Sequence, residues 1–191
     1  MKLYGSYTSP YVRHCRIVLA ECGVDHEFVE ADYAASARLS PTARVPFLDD
    51  GDRRLHDSAS ILKHIRSKAG QEFMADIDDF ETFLLANTGL DTSINLFLLE
   101  KEGLLPKDVP YLARQQARVE SVLSELDARC GTTGEPEQAS FSDGLLRVGC
   151  FLSWALFRQR LTIDKHRHLL ALMARLDADP GFARTHPSLT A

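Results

Sequence analysis

The feature that most limits how this chain can fold is the turn Asp49-Asp50-Gly51-Asp52, set between the apolar run Val45-Pro46-Phe47-Leu48 and residues 54–56. Asp-Gly between two strand-forming runs is a strong hairpin signal, because so tight a connection needs a residue that accepts positive φ. A helix signal follows at once. Asp57 or Ser58 supplies the N-cap, and Ile61, Leu62 and Ile65 carry the apolar spacing of a helix over 58–68. This β-β-α unit is preceded by a strand over 2–6, a helix over 10–22, the turn Cys22-Gly23-Val24-Asp25 and a strand over 26–29, which together make a β-α-β opening.

Beyond about residue 75 the strand pattern stops. The rest reads as helices over 78–101, 108–129, 141–158 and 164–178, with a linker over 69–76 and an irregular stretch over 131–138. The expected architecture is an α/β domain over 1–70 joined to an all-α domain over 77–191. A chain of 191 residues accommodates two small domains and buries enough surface to need no disulfide or metal staple. The 141–158 segment is apolar on nearly every side and is expected to be the buried central helix. In the 78–101 helix, Phe80, Leu84, Asn87, Asp91, Ile94 and Leu98 form the expected buried stripe. Asn87 and Asp91 interrupt it, and burying them unpaired would be costly, so they either pair internally or face a cleft.

Charge and cysteine usage narrow the chemistry. Lys and Arg total 22 against 27 Asp and Glu, a net charge of -5, which argues against nucleic acid as a partner because phosphate neutralisation needs clustered bases. Cys15, Cys22, Cys130 and Cys150 form no C-x-x-C pair, and His166 and His168, two apart on a helix, point to different sides as solvated residues, so no metal site is expected. Cys15, with Val18, Leu19 and Cys22, reads as part of an apolar face. No P-loop, G-x-G-x-x-G or H-E-x-x-H occurs. The N-terminus lacks a secretory h-region and the longest apolar stretch, 150–157, falls far short of the ~20 residues of a spanning helix. A cytoplasmic protein with reduced thiols and no membrane partner is expected.

The segments Tyr7-Thr8-Ser9-Pro10-Tyr11-Val12-Arg13, Ser40-Pro41-Thr42-Ala43-Arg44-Val45-Pro46, His56-Asp57-Ser58-Ala59-Ser60-Ile61 and Ser140-Phe141-Ser142-Asp143, in that order, resemble a soluble bacterial glutathione S-transferase of the serine type. The likeness covers essentially the whole chain. It implies a thioredoxin-like N-terminal domain, an all-helical C-terminal domain, and a homodimeric cytoplasmic enzyme. Such an enzyme takes glutathione as co-substrate, with no metal, and activates its thiol for attack on small electrophiles or for peroxide reduction.

The residues admit both plain and functional readings. Ser9, before a Pro at the first helical turn, is a helix cap; the resemblance also implies that its hydroxyl donates to the glutathione sulfur, helped by the positive end of the helix. Tyr7 and Thr8 compete with Ser9 for that role. The resemblance implies a cis Val45-Pro46 bond, with Val45 pairing the cysteinyl backbone of glutathione as a short strand. It also implies that Asp57 and Ser58 hold the γ-glutamyl end, while Arg44 takes the glycyl carboxylate. Relatives carry Glu at the position of Asp57 and Gly-Lys at Ala43-Arg44. Ser140 and Asp143 read as a capping box serving folding. Tyr11 and Arg13, opposite Asn87 and Asp91, are expected to line a pocket for the second substrate. The other class of function is a non-catalytic interaction protein resembling the stringent starvation proteins.

Overall fold

In the computed structural model, residues 1–132 and 141–189 are described. The chain forms two compact units, one comprising Met1–Ala75 and the chain from Asp177 onward, the other Asp76–Leu176. In the first, the order is β1 (Lys2–Gly5), α1 (Pro10–Glu21), β2 (Glu27–Glu30), α2 (Tyr33–Leu39), β3 (Phe47–Asp50), β4 (Arg53–Leu55) and α3 (Ser58–Lys68). The sheet order is β2-β1-β3-β4, with β1 and β2 parallel and the other neighbours antiparallel. This is a thioredoxin-like arrangement, with the β-α-β and β-β-α halves the sequence predicts.

One helix is additional to that reading. Seven residues in α2 are too few for a helical period to register, and Asp32 ahead of an Ala-rich run is its only signal; Asp32 Oδ1 accepts from Ala35 N at 2.7 Å.

The register decides which loops meet. Lys2 pairs with Asp49 and Tyr4 with Phe47, so the C-terminal end of β1 lies beside the N-terminal end of β3. Leu48 pairs with Leu55, so β4 runs back toward the same end and delivers residues 56–58 there. Gly5 closes β1 where α1 presses on it. A Cβ at this position would stand 2.5 Å from Val12 Cγ1, so only glycine allows the approach. The core beneath is Leu3, Val12, Val18, Leu48, Ile61 and Ile65, all fully buried. Cys15 is buried among them, as its place on the apolar face predicts, while Cys22 caps the end of α1 and is half-buried.

The terminal segment from Asp177, assigned on sequence to the helical domain, groups with this first unit through α8 (Pro180–Ala183). Arg13, on α1, is only 1% exposed. Its Nε donates to Thr185 Oγ1 at 3.1 Å, its Nη2 to Phe182 O at 2.9 Å, and its guanidinium lies 3.8 Å over the Phe182 ring. Burial first, and then this nearby cation, lower the pKa of His186.

The described part of the second unit contains only helices: α4 (Ile77–Lys101), α5 (Pro110–Thr132), α6 (Asp143–Phe157) and α7 (Arg167–Ala178). Residues 131 and 132 of the stretch expected to be irregular are helical, since α5 runs through Thr132; the remainder of that stretch lies outside the described residues. As expected, α6 is the buried centre, with Leu146, Val148, Phe151 and Leu152 in the core and even Arg147 fully buried, its guanidinium 4.7 Å over Phe83.

Three sequence expectations are corrected here. The buried residues of α4 are Phe83, Ala86, Gly89, Leu90, Thr92 and Ser93, whereas Phe80 and Leu84 are 36% and 39% exposed. Two apolar stripes of equal period run along this helix, and the smaller residues on one of them let α5 and α6 approach. His166 is buried at 4% exposure, ahead of α7 rather than on it, and is not the solvated residue expected. The N-cap of α6 is Ser142, whose Oγ accepts from Leu145 N at 3.2 Å; Ser140 lies outside the described residues.

The acid that serves this cap comes from another helix. Asp79 Oδ1, on α4, accepts from Ser142 Oγ at 2.5 Å and from Gly144 N at 3.1 Å. A Cβ on Gly144 would stand 2.2 Å from that oxygen and 2.7 Å from the Asp79 backbone oxygen. Burial raises the pKa of Asp79 despite these bonds. In the same manner Asp127 Oδ1, on α5, accepts from His168 N and Leu169 N at 2.8 and 3.0 Å at the start of α7.

Candidate functional site

Ser9, the Val45-Pro46 bond and the Asp57-Ser58 pair come to the same end of the sheet, as the β1, β3 and β4 directions require. Ser9 is the N-cap of α1 and Pro10 its first residue, as the sequence predicts. The cap is loose. Val12 N donates to Ser9 Oγ at 3.4 Å, long for such a bond, while Arg13 N bonds Ser9 O at 2.9 Å. The proton of the Ser9 hydroxyl has no acceptor among the described residues, and the helix end places positive potential beside it. Ser9 thus presents an available donor.

The two competing hydroxyls are engaged differently. Thr8 Oγ1 lies 3.2 Å from Ser6 Oγ. The Tyr7 ring packs on Phe28 at 4.7 Å between centroids, with the Arg16 guanidinium 4.7 Å over its face. Burial lowers the pKa of Arg16.

The Val45-Pro46 peptide bond is cis. Val45 is half-buried and precedes the paired part of β3, and Arg44 beside it is exposed. Ala43 has φ of 51°, in the left-handed region that favours glycine. Asp57 is the N-cap of α3, its Oδ1 accepting from Ala59 N at 2.7 Å, and Ser58 behind it is buried. Asp57 is exposed, so its carboxylate faces solvent at a helix N-terminus.

Arg13 is withdrawn as a ligand-facing residue, because its guanidinium is spent in the core on the Phe182–Thr185 segment. Tyr11 is half-buried on the first turn of α1. Asn87 and Asp91 belong to α4 in the other unit; Asn87 is half-buried, with an Oδ1 that is shielded and lacks a hydrogen-bond partner among the described residues, and Asp91 is exposed.

Sequence reasoning also missed the residues that tie the Ser40–Pro46 segment down. His56 Nδ1 lies 3.2 Å from Ser40 Oγ, and Arg54 Nη1 donates to Leu39 O at 2.9 Å. The only signal for them was their position before Asp57.

A depression lined by Asp50, Asp52, Arg53 and His64 sits at the hairpin, the opposite end of the sheet. There Asp50 Oδ2 accepts from Lys68 Nζ at 2.7 Å and His64 Nε2 at 2.8 Å, which hold the Asp50 pKa down at about 2. Its charge is answered within the chain. Of the cysteines, Cys130 has its thiol pushed up to about 11 by burial and by the nearby Asp127 carboxylate, the reverse of an activated nucleophile. No helix among the described residues is long and apolar enough to cross a membrane.

A four-stranded thioredoxin-like sheet carrying a serine-capped α1 and a cis proline at one end, followed by a helical remainder, defines the glutathione S-transferase fold. Comparisons with known proteins agree. The family model described as "Glutathione S-transferase, N-terminal domain" matches residues 3–73. The chain is 27% identical over 202 residues to the uncharacterized GST-like protein YibF of Escherichia coli K12, covering 98% of each. It superposes on the crystal structure of a glutathione S-transferase from Methylobacillus flagellatus with glutathione bound, at a TM-score of 0.85 and 27% identity over 97% of this chain and 98% of that one. A glutathione S-transferase from Methylobacterium radiotolerans, in complex with glutathione sulfonate, has the same fold at a TM-score of 0.82 and 24% identity, covering 100% of this chain and 96% of that one. Residues 3–73 thus match a glutathione S-transferase N-terminal domain, and the chain has the glutathione S-transferase fold.

Proposed function

We propose that this protein is a cytoplasmic glutathione transferase that activates the glutathione thiol for conjugation to small electrophiles or for peroxide reduction. The observation that carries the reading is the available Ser9 donor at the positive end of α1. A hydroxyl and a helix N-terminus aimed at one sulfur both favour its anion. A fall of about two units from the free thiol value near ~8.5 stabilises the thiolate by roughly 2.7 kcal/mol and makes it abundant at neutral pH. Val45 pairs the cysteinyl backbone, Asp57 and Ser58 hold the γ-glutamyl end, and Arg44 meets the glycyl carboxylate. The glutathione carried by the Methylobacillus flagellatus relative supports this assignment of the co-substrate.

With no cysteine at the Ser9 position, a mixed disulfide of the enzyme with glutathione is not part of the cycle. The chain acts as a homodimer, and the strip Ile77, Phe80 and Leu84 exposed on α4 is the apolar surface that supports self-association.

The test is retention on immobilised glutathione, followed by steady-state turnover with a chloronitroarene and with cumene hydroperoxide. Retention with turnover that collapses in Ser9→Ala is expected. Retention with turnover unchanged in Ser9→Ala removes Ser9 from its role, and a chain that is not retained is an interaction protein of the non-catalytic kind.

A further inference from the structure

The loop over 41–46 carries Arg44 and Val45 between α2 and β3, and it is held at both ends. At its β3 end, Phe47 pairs with Tyr4 and the two rings stack at 4.5 Å. At its α2 end stands Ser40, buried and C-capping that helix through its own N–H on Ser36 O at 2.9 Å.

Ser40 Oγ has hydrogen-bond partners on both the loop and β4 sides. It accepts from Thr42 N at 3.4 Å and lies 2.9 Å from Thr42 Oγ1 and 3.2 Å from His56 Nδ1. A hydroxyl has two lone pairs and one proton. With the Thr42 N–H donating to it, Ser40 Oγ donates its own proton to one of Thr42 Oγ1 and His56 Nδ1 and accepts from the other, so all its hydrogen-bonding capacity is used.

A second tie lies one residue earlier. Arg54 Nη1 donates to Leu39 O, and the guanidinium is itself gripped by both oxygens of Asp49, at 2.5 and 2.6 Å. Arg54 and His56 are two apart on extended chain and so project to the same side, reaching the consecutive residues Leu39 and Ser40. Within the loop, Ala43 N bonds Ser40 O at 3.0 Å while Ala43 holds the left-handed φ of 51° that a side-chain-bearing residue does not choose by itself. His56 adjoins Asp57, so these ties connect the loop directly to the N-terminus of α3.

We infer that Asp49, Arg54, His56 and Ser40 form a positioning clamp that holds Arg44 and Val45 in register with Asp57 and Ser58, and that this clamp sets the affinity of the chain for glutathione. The inference rests on the glutathione reading above. None of the four touches the reacting sulfur. Their effect is therefore on binding, and turnover at saturating glutathione, which depends on Ser9, is left alone.

Calorimetric titration of glutathione into the full chain, alongside steady-state kinetics, tests this. His56→Ala and Ser40→Ala each weaken binding about five- to tenfold and raise KM to match, with kcat within about twofold of the parent. The double variant loses no more than Ser40→Ala alone, because the bond to His56 is already gone in that variant. His56→Asn, whose side-chain amide can accept or donate where Nδ1 did, restores binding to within about twofold. Ser40→Ala carries the test if His56→Ala fails to fold.

A parent that binds glutathione while Ser40→Ala and folded His56→Ala bind as tightly overturns the clamp alone. So does a His56→Asn variant as weak as His56→Ala. A parent that binds no glutathione overturns the glutathione reading and the clamp with it.

Discussion

Two pairs of helix N-termini, α6 and α7 in the second unit and α1 and α3 in the first, are closed in different ways. In the second unit, α6 and α7 are plugged by carboxylates from other helices: Asp79 reaches from α4 to Ser142 and Gly144, and Asp127 from α5 to His168 and Leu169. In the first unit, α1 and α3 are capped by the residue that precedes each, Ser9 with a long 3.4 Å bond and Asp57 from an exposed position. The dipole and the donors are the same in kind. A helix end sealed by a carboxylate from another helix is a structural joint, whereas α1 and α3 are the two ends on which the proposed glutathione site is built.

That contrast is broken most severely by exchanging roles between the two serine caps. Ser9→Ala is expected to lower turnover with glutathione and a chloronitroarene about hundredfold, the scale for losing one donor to a developing or resident anion. Ser142→Ala is expected to leave turnover unchanged and to cost about 1 kcal/mol of stability in urea unfolding, the ordinary loss of a cap. Comparable losses of turnover in both variants would erase the distinction.

Closeness of the α6 joint is tested next. Gly144→Ala forces a Cβ to 2.2 Å from Asp79 Oδ1 and is expected to destabilise the chain by about 2–3 kcal/mol, seen as a lower urea midpoint at unchanged slope. A neutral substitution would mean that α4 and α6 are looser than the contact implies.

A smaller effect is expected at the carboxylate itself. Burial raises the folded-state pKa of Asp79, so its ionisation opposes folding: the parent loses stability as pH rises from below the ordinary carboxylate value of 3.8 through the raised folded value. Asp79→Asn keeps an acceptor for Ser142 and Gly144 without the charge. Its stability relative to the parent is expected to improve between about pH 3 and pH 7, as measured by unfolding at each pH. A difference that does not change with pH would show the carboxylate to be as well solvated as in the unfolded chain.

Least in size is the loop backbone. Ala43→Gly relieves a left-handed φ and is expected to stabilise the chain by about 0.5 kcal/mol in the same unfolding assay, the relief slightly exceeding the extra chain entropy of glycine.

How much of this was legible depended on whether a feature is local in sequence. The β-α-β and β-β-α order, the N-caps Ser9 and Asp57 and the buried face of α6 follow from turn residues and periodicity, which act over a few neighbours. The buried side of α4 did not, because Phe80-Leu84 and Phe83-Leu90 have the same period and the choice between them lies in how closely α5 and α6 can approach. Arg13 read as a pocket residue only through the family resemblance; its partners Phe182 and Thr185 are about 170 residues away in sequence. The same holds for Asp79 on Ser142 and for His56 on Ser40, where a side chain finds its partner only after folding.

The central claim is that Ser9 and the end of α1 favour the anion of bound glutathione. The direct measurement is an ultraviolet absorbance titration of the thiolate in the saturated complex. A midpoint near ~6.5, about two units below the free thiol, with Ser9→Ala returning it toward ~8.5, is the predicted result. A bound thiol that titrates where the free one does would contradict it.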